Sequence, residues 1–200
     1  MPTSTIALLE DGAAALLTAL QRHDGSTGWH SRRVSLLARR TGALLLGPAG
    51  AGLDDLEEAA LVHDAGKLRV PARILRKTGP LSTGEWALVR RHPQWGAELV
   101  SDIGGLARHA DTVGAHHERW AGGGYPAGRA GNGIPLPARI IAACDAYDSM
   151  TTERPHARRR SSDEALAELR ACAGRQFDPV VVAALETVLA PTSKPSAVAG

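Results

Sequence analysis

Eight histidines occur in this chain, and five of them, His30, His63, His92, His116 and His117, combine with Asp64 and Asp145 into a pattern suited to holding metal ions. Two pairs are adjacent in sequence, His63-Asp64 and His116-His117, while His30, His92 and Asp145 stand alone. Neutral imidazole nitrogens and ionised carboxylate oxygens are the donors that borderline transition-metal ions accept, and seven of them suffice for two ions rather than one. Paired ions a few ångströms apart recur in the cleavage of phosphate esters. One turns bound water into hydroxide at neutral pH, and the pair clamps the attacking and leaving oxygens. A single histidine on a helix is ordinarily structural or solvated. It is the number of these residues, and their places at helix ends or on inward faces, that changes the reading.

Residues so far apart in sequence meet only if helices carry them into one core, and the hydrophobic spacing predicts helices nearly throughout. Ile6, Leu9, Ala13, Leu16, Leu17 and Leu20 share a helical face, and a second helix runs from Trp29 to Leu46. Asp54 or Asp55 caps a third, with Leu56, Ala60 and Leu61 leading into His63-Asp64, and Gly66 ends it as a left-handed C-terminal glycine. Neighbouring side chains on a helix diverge by about a hundred degrees, so both members of His63-Asp64 face inward only where the helix stops. There Asp64 can bridge two ions while His63 binds one, and His116 and His117 can each feed a different ion. Ser82 with Glu85 has capping-box spacing for a helix to His92, bent after it by Pro93. Another helix spans Leu106 to His117. Trp120 to Pro137, with six glycines and three prolines, reads as a long functional loop. Helices follow from Ala138 to Met150, from Ser161, and from Asp178-Pro179, with almost no strand.

Several residues stand where they would assist such a site. A lysine is ordinarily a surface residue, but Lys67, three past Asp64, is placed to neutralise a phosphate oxygen. Asp145 and Asp148 share a helix face, so one can ligate while the other orients a partner. Arg139 and Arg154 carry guanidinium forks that match phosphate. The Gly122-Gly123-Gly124-Tyr125-Pro126 turn lacks the Lys-Ser/Thr of a P-loop, though Tyr125 can stack on a base.

The composition excludes several other classes. A hydrophobic share of 44% with 22% charged residues describes an ordinary globular domain. The formal charge of +2 gives no ground for a nucleic-acid polymer as partner. Cys144 and Cys172 lack metal or redox spacing. No stretch reaches the roughly twenty apolar residues of a membrane span, and no basic segment precedes an apolar run at the N-terminus. The expectation is a cytoplasmic protein.

The ordered motifs resemble the HD-GYP domain, a branch of the HD superfamily of metal-dependent phosphohydrolases. They run from His63-Asp64-Ala65-Gly66-Lys67 with Val70-Pro71, through Arg91-His92-Pro93 and His116-His117-Glu118-Arg119-Trp120, to Gly124-Tyr125-Pro126. Ile134-Pro135-Leu136, Ala138-Arg139-Ile140, Asp145 to Met150, Arg154-Pro155 and Gln176-Phe177-Asp178-Pro179 follow in the same order. The resemblance implies an all-α HD-type helical bundle with a long Gly/Pro-rich loop. It implies domain limits of 29–190, with 1–28 an N-terminal helical extension and 191–200 a flexible tail. It further implies a hydrolase of cyclic di-GMP giving pGpG, and in some members GMP, through a metal-bridging hydroxide. The ligands carried over are His30, His63, Asp64, His92, His116, His117 and Asp145, with Asp64 and Lys67 catalytic. Lys67, Tyr125, Arg139, Asp148 and Arg154 fall on positions linked to substrate or its support. Two iron or manganese ions are implied, because Ser26 stands where some members have a glutamate for a third. Ala121 replaces an aspartate of the loop, and His156 a tyrosine. Other readings are a hydrolase of a different cyclic dinucleotide, and a module that binds cyclic di-GMP without cleaving it. Regulation by a separate partner protein, and a homodimer formed through the first helix, are further expectations.

Overall fold

The third helix, α3 (Ala51–Val62), is buried on two sides, and this arranges the rest of the chain. Its Leu53, Leu56, Ala59 and Ala60 enter one apolar core, and its Val62 enters a second. The computed structural model describes residues 4–153 and 158–190, with side chains from residue 12 onward. Arg154, His156 and the expected tail 191–200 lie outside those residues.

The first core joins α3 to α2 (Gly25–Leu46), α8 (Leu136–Thr151), α9 (Ser162–Cys172) and α10 (Pro179–Leu189), through Val34, Ala38, Ile140, Ile141, Leu169 and Leu185. The second joins it to α1 (Ser4–His23), α6 (His92–Ser101) and α7 (Ala110–Ala115), through Ala13, Leu16, Val100, Leu106 and Val113. The short helices α4 (Ala72–Leu75) and α5 (Thr83–Val89) complete the set. Among the described residues there is no strand, only an isolated bridge between Ala173 and Phe177, so the all-α expectation holds. No helix among them is long and apolar enough to cross a membrane.

Local chemistry explains most boundaries. The expected capping box at Ser82 forms, and so does one at the expected helix start Ser161: Ser82 Oγ accepts from Glu85 N and Ser161 Oγ from Glu164 N, with each glutamate returning to the cap's own N–H. Asp178 caps α10 by accepting from Val180 N at 2.9 Å. Elsewhere the structure departs from the expected elements. α3 starts earlier, at a Gly50 cap, leaving Asp54 in its first turn to pair with Arg39. α5 stops at Val89 rather than reaching His92, and Pro93 opens α6 instead of bending a helix. A first-turn proline loses no hydrogen bond, which is why it suits that place. The expected Leu106–His117 helix divides into a 3-10 segment, Gly104–His109, and α7. The first helix, expected to stand outside the domain, packs into it: Ala13, Leu16, Leu17 and Leu20 are buried. From Ala13 onward its apolar face is used within the chain, which removes the ground for pairing through it between subunits.

Gly66 is glycine for a reason other than the expected left-handed geometry, since it is not among the positive-φ glycines. It lies in the 3-10 turn Ala65–Arg69 that follows α3, and a Cβ there would meet the His92 carbonyl oxygen at 1.9 Å and Gly96 N at 2.5 Å. The start of α6 therefore lies directly on the turn that carries Asp64 and Lys67. Gly66→Ala is expected to lower stability in urea unfolding by about 2–3 kcal/mol through overpacking. Gly52→Ala is its control. Gly52 lies in α3 with open space around it, so alanine should be neutral or stabilising by up to about 1 kcal/mol.

Candidate metal centre

Three helical segments have a last-turn carbonyl taken up by a histidine ring three residues on. Nδ1–H of His63 donates to the Ala60 carbonyl at 2.7 Å, that of His92 to Val89 at 2.7 Å, and that of His116 to Val113 at 2.6 Å. Carbonyls of a last helical turn lack intrahelical partners, so each ring satisfies an orphan acceptor. A carbonyl cannot donate, so each Nδ1 must carry the proton, and each Nε2 is left with its lone pair directed away from its helix. His30, on α2, obeys the same logic with a carboxylate: its Nδ1–H donates to Asp148 Oδ2 at 2.6 Å.

These Nε2 atoms meet around Asp64. Asp64 Oδ1 is 3.4 Å from His92 Nε2, and Oδ2 is 3.5 Å from His63 Nε2 and 4.0 Å from His30 Nε2. Donor atoms of His92, His116 and His117 lie within 4.8 Å of one another, as do those of His30, His63 and Asp145, and those of His63, Asp64 and His116. All seven sequence-predicted ligands thus come together, in two groups with Asp64 between them.

The donors fit a pair of cations. His92 Nε2 and His116 Nε2 face each other at 3.2 Å, although both protons sit on Nδ1, and His63 Nε2 is buried with no hydrogen-bond partner. Opposed lone pairs and an orphaned acceptor are what a cation placed among them would satisfy. Burial pushes His92, His116 and His117 down to about 3, so at neutral pH all three are unprotonated donors. Burial alone would raise Asp64, but Lys67 foremost among its neighbours holds its carboxyl well below the usual range. His30 goes the other way: burial opposes its charge, yet Asp145, 3.0 Å from Nε2, and Asp148 raise it to about 9. Asp55, Glu58 and His109 form another group of donors, but Arg108 already pairs with both carboxylates.

The remaining predicted residues divide. Lys67 Nζ donates to Asp64 Oδ2 at 2.6 Å and lines the adjoining cavity of about 670 Å³, together with His30. Tyr125 stacks on His117, with ring centres 4.9 Å apart. Burial raises its hydroxyl to about 12. Asp148 does not face the cavity as a substrate contact would; it accepts from His30 and from the Arg33 fork, at 2.6 Å from Nε and 2.9 Å from Nη2. Arg139 is not brought to the site either. Its guanidinium donates to Asp178 at 2.7 Å and lies over the Trp120 ring, tying α8 to the N-terminus of α10.

Three contributors escaped the sequence reading. Arg33 follows His30 by three positions, a same-face signal hidden in a run of arginines. Glu118 is buried and accepts from Ala127 N at 2.7 Å, holding the loop that carries Tyr125. The same loop needs Gly124, where a Cβ would lie 2.5 Å from Arg119 N. Arg90 lies over the Tyr125 ring, 5.4 Å from its centre. At Ala121, where an aspartate was expected, the backbone N–H bonds to the Arg175 carbonyl at 2.9 Å and keeps the loop closed.

A buried set of histidines and aspartates at helix ends within an all-α bundle defines a metal-centre protein of the HD type. Residues 9–181 match the family model described as HD domain, so the chain belongs to the HD-domain family, which is metal-dependent. The motif resemblance to HD-GYP domains agrees with the relatives. The cyclic di-GMP phosphodiesterase response regulator RpfG of Xanthomonas campestris is 40% identical over 175 residues, covering 85% of this chain and 45% of its own length. A 3'3'-cGAMP-specific phosphodiesterase 2 of Vibrio cholerae is 35% identical, covering 84% and 32%. A cyclic di-GMP phosphodiesterase of Thermotoga maritima is 34% identical, covering 80% and 44%. The chain thus spans less than half the length of these curated relatives. Among solved structures, an HDG"Y"P protein from Bdellovibrio bacteriovorus superposes with a TM-score of 0.65 at 24% identity, over 80% of this chain and 51% of its own. A cyclic GMP-AMP-specific phosphodiesterase of Vibrio cholerae gives 0.61 at 22%, over 92% and 49%. These two likenesses are of fold.

Two outcomes follow for metal and pH. Asp148→Ala removes the acceptor that fixes the His30 tautomer, and calorimetric titration with manganese should find affinity about 10- to 100-fold weaker. In chelator-treated protein the unfolded chain protonates its histidines near 6.5, whereas His92, His116 and His117 resist until about 3. Acidification from 6.5 downward therefore destabilises the folded state. His30, raised to about 9, gives stability that is complete below 6.5 and lost as pH climbs through 9. Melting temperatures measured from about pH 4 to about pH 9 should peak near pH 6.5; a flat profile would contradict this.

Proposed function

We propose that this domain is a two-metal phosphodiesterase for cyclic dinucleotides, acting on cyclic di-GMP to give linear pGpG and, on further cleavage, GMP. The observation that carries the reading is Asp64, whose two oxygens face two separate groups of histidine nitrogens. His30, His63 and Asp145 would hold one ion, His92, His116 and His117 the other, with Asp64 shared. Iron and manganese both suit such mixed nitrogen and oxygen donors. Ser26 supports two ions rather than three, since its hydroxyl donates to Asp24 and offers no carboxylate. When bound, the ions supply Lewis acidity and acidify a water.

The chain's own groups do the rest. Hydrolysis forms a bond from a water oxygen to phosphorus and breaks the bond from phosphorus to the 3′ oxygen, which leaves with a proton. Lys67 is anchored on Asp64 while it borders the cavity, so its ammonium is held where charge grows on the phosphoryl oxygens. Tyr125 keeps its proton at every working pH and serves as a donor, not a base. Arg33 and Asp148 keep His30 in its Nδ1–H form. A hybrid cyclic dinucleotide is the second reading, favoured by the 35% identity to the 3'3'-cGAMP-specific relative.

Protein loaded with iron or manganese under reducing conditions should linearise cyclic di-GMP, and His63→Ala should abolish this. Lys67→Met should cut kcat by about 10²- to 10³-fold while bound metal stays constant. Chromatography of products from cyclic di-GMP and 3'3'-cGAMP side by side decides between the two substrates. Binding without turnover at full metal occupancy would replace the enzyme reading with a sensing role.

A further inference from the structure

Trp29 directly precedes His30 on α2, and its side chain is turned to the opposite use. His30 is buried in the metal centre, whereas Trp29 is 63% exposed. Successive helical side chains diverge by about a hundred degrees, so one turn of helix can supply both a ligand and a feature of the space beside it. Both residues line the cavity of about 670 Å³ that Lys67 also borders. An indole left this open contributes little to folding, because its apolar surface remains in water. Most other lining side chains are polar or charged, among them Arg33, Lys67, Arg76 and Lys77 beside Asp24 and Glu153, with Arg33, Lys67 and Lys77 held by Asp148, Asp64 and Glu85. Asp24 is moreover occupied, accepting from the hydroxyls of Ser26 and Thr27.

An open aromatic face, cationic side chains and the candidate metal donor His30 on one wall suit a flat heterocycle joined to phosphate. The geometry points to Trp29 as a stacking platform for one purine base of the substrate, held while its phosphate lies toward Lys67 and the metal centre. This rests on the cyclic-dinucleotide reading and adds to it the residue that grips a base. Tyr125 does not line this cavity; it is stacked on His117 and has Arg90 over its ring, so Trp29 supplies the aromatic face here.

The test combines steady-state kinetics with stopped-flow tryptophan fluorescence of the manganese-loaded protein mixed with cyclic di-GMP. Base stacking on Trp29 should quench emission before turnover, and Trp29→Phe should lose most of that quench while keeping KM within a few-fold. Trp29→Ala should raise KM about tenfold, a typical effect of removing one stacking ring. Its metal content by elemental analysis should match the parent. An unchanged KM in Trp29→Ala, or a quench that survives Trp29→Phe, overturns the assignment and leaves the hydrolase reading intact. A Trp29-dependent quench without hydrolysis keeps the assignment and removes the hydrolase. Neither binding nor hydrolysis of cyclic di-GMP removes both.

Discussion

The arrangement depends on imidazole rings capping the helical turns beside them. His63, His92 and His116 each donate Nδ1–H to a carbonyl three residues earlier. That one contact does three things. It satisfies an acceptor that would otherwise be stranded at a helix terminus inside the protein. It fixes the tautomer, and it turns Nε2 outward from the end of the segment. The direction of these three Nε2 atoms is thus a by-product of terminating a helical turn.

Burial then makes the geometry electrostatically demanding. Burial excludes most of the water that would solvate the nitrogens and Asp64, and the neutral imidazoles of His92, His116 and His117 bring no charge to balance the deprotonated carboxylate. Asp64 carries the centre's negative charge together with Asp145, and Lys67 offsets part of it in the absence of ions. His30 differs from the other ligands in being held between two carboxylates, with Arg33 neutralising the outer one. The two groups of donors are therefore not equivalent: one is backed by peptide carbonyls, the other in part by an ionised network. The second should respond more strongly to charge changes outside the ligands themselves.

The long glycine-rich segment is rigid in its own way. Glu118, the residue next to His117, receives the Ala127 N–H and so ties the far side of the turn to the ligand pair. Tyr125 is laid on His117 as a consequence. Backbone bonds from Trp120 and Ala121 to Gln176 and Arg175 close the segment against the connection between α9 and α10. Asp178 at the start of α10 holds Arg139, which in turn lies over Trp120. The C-terminal helices thus support the loop through polar contacts, while their apolar faces fill the core around α3.

The sequence by itself determined the all-α class and the helix starts at Ser82, Ser161 and Asp178, because these depend on residue type and short-range spacing, and it singled out the seven histidines and aspartates that the fold brings together. Ordered motifs carried the ligand set where periodicity alone left it open. What it could not determine was decided by contacts between distant segments. Gly66 reads as a helix terminator until α6 is seen lying on its Cα. Arg139 reads as a phosphate-side residue until Asp178, thirty-nine positions away, takes up its charge, and which partner Asp148 orients is open until His30, 118 positions away, is found on it. The first helix reads as an appendage until its apolar face is found in the second core. Local free energies fix where a helix begins and ends. Which partner satisfies a given charge or apolar face is settled only when the chain is folded and the competing partners have been excluded by distance.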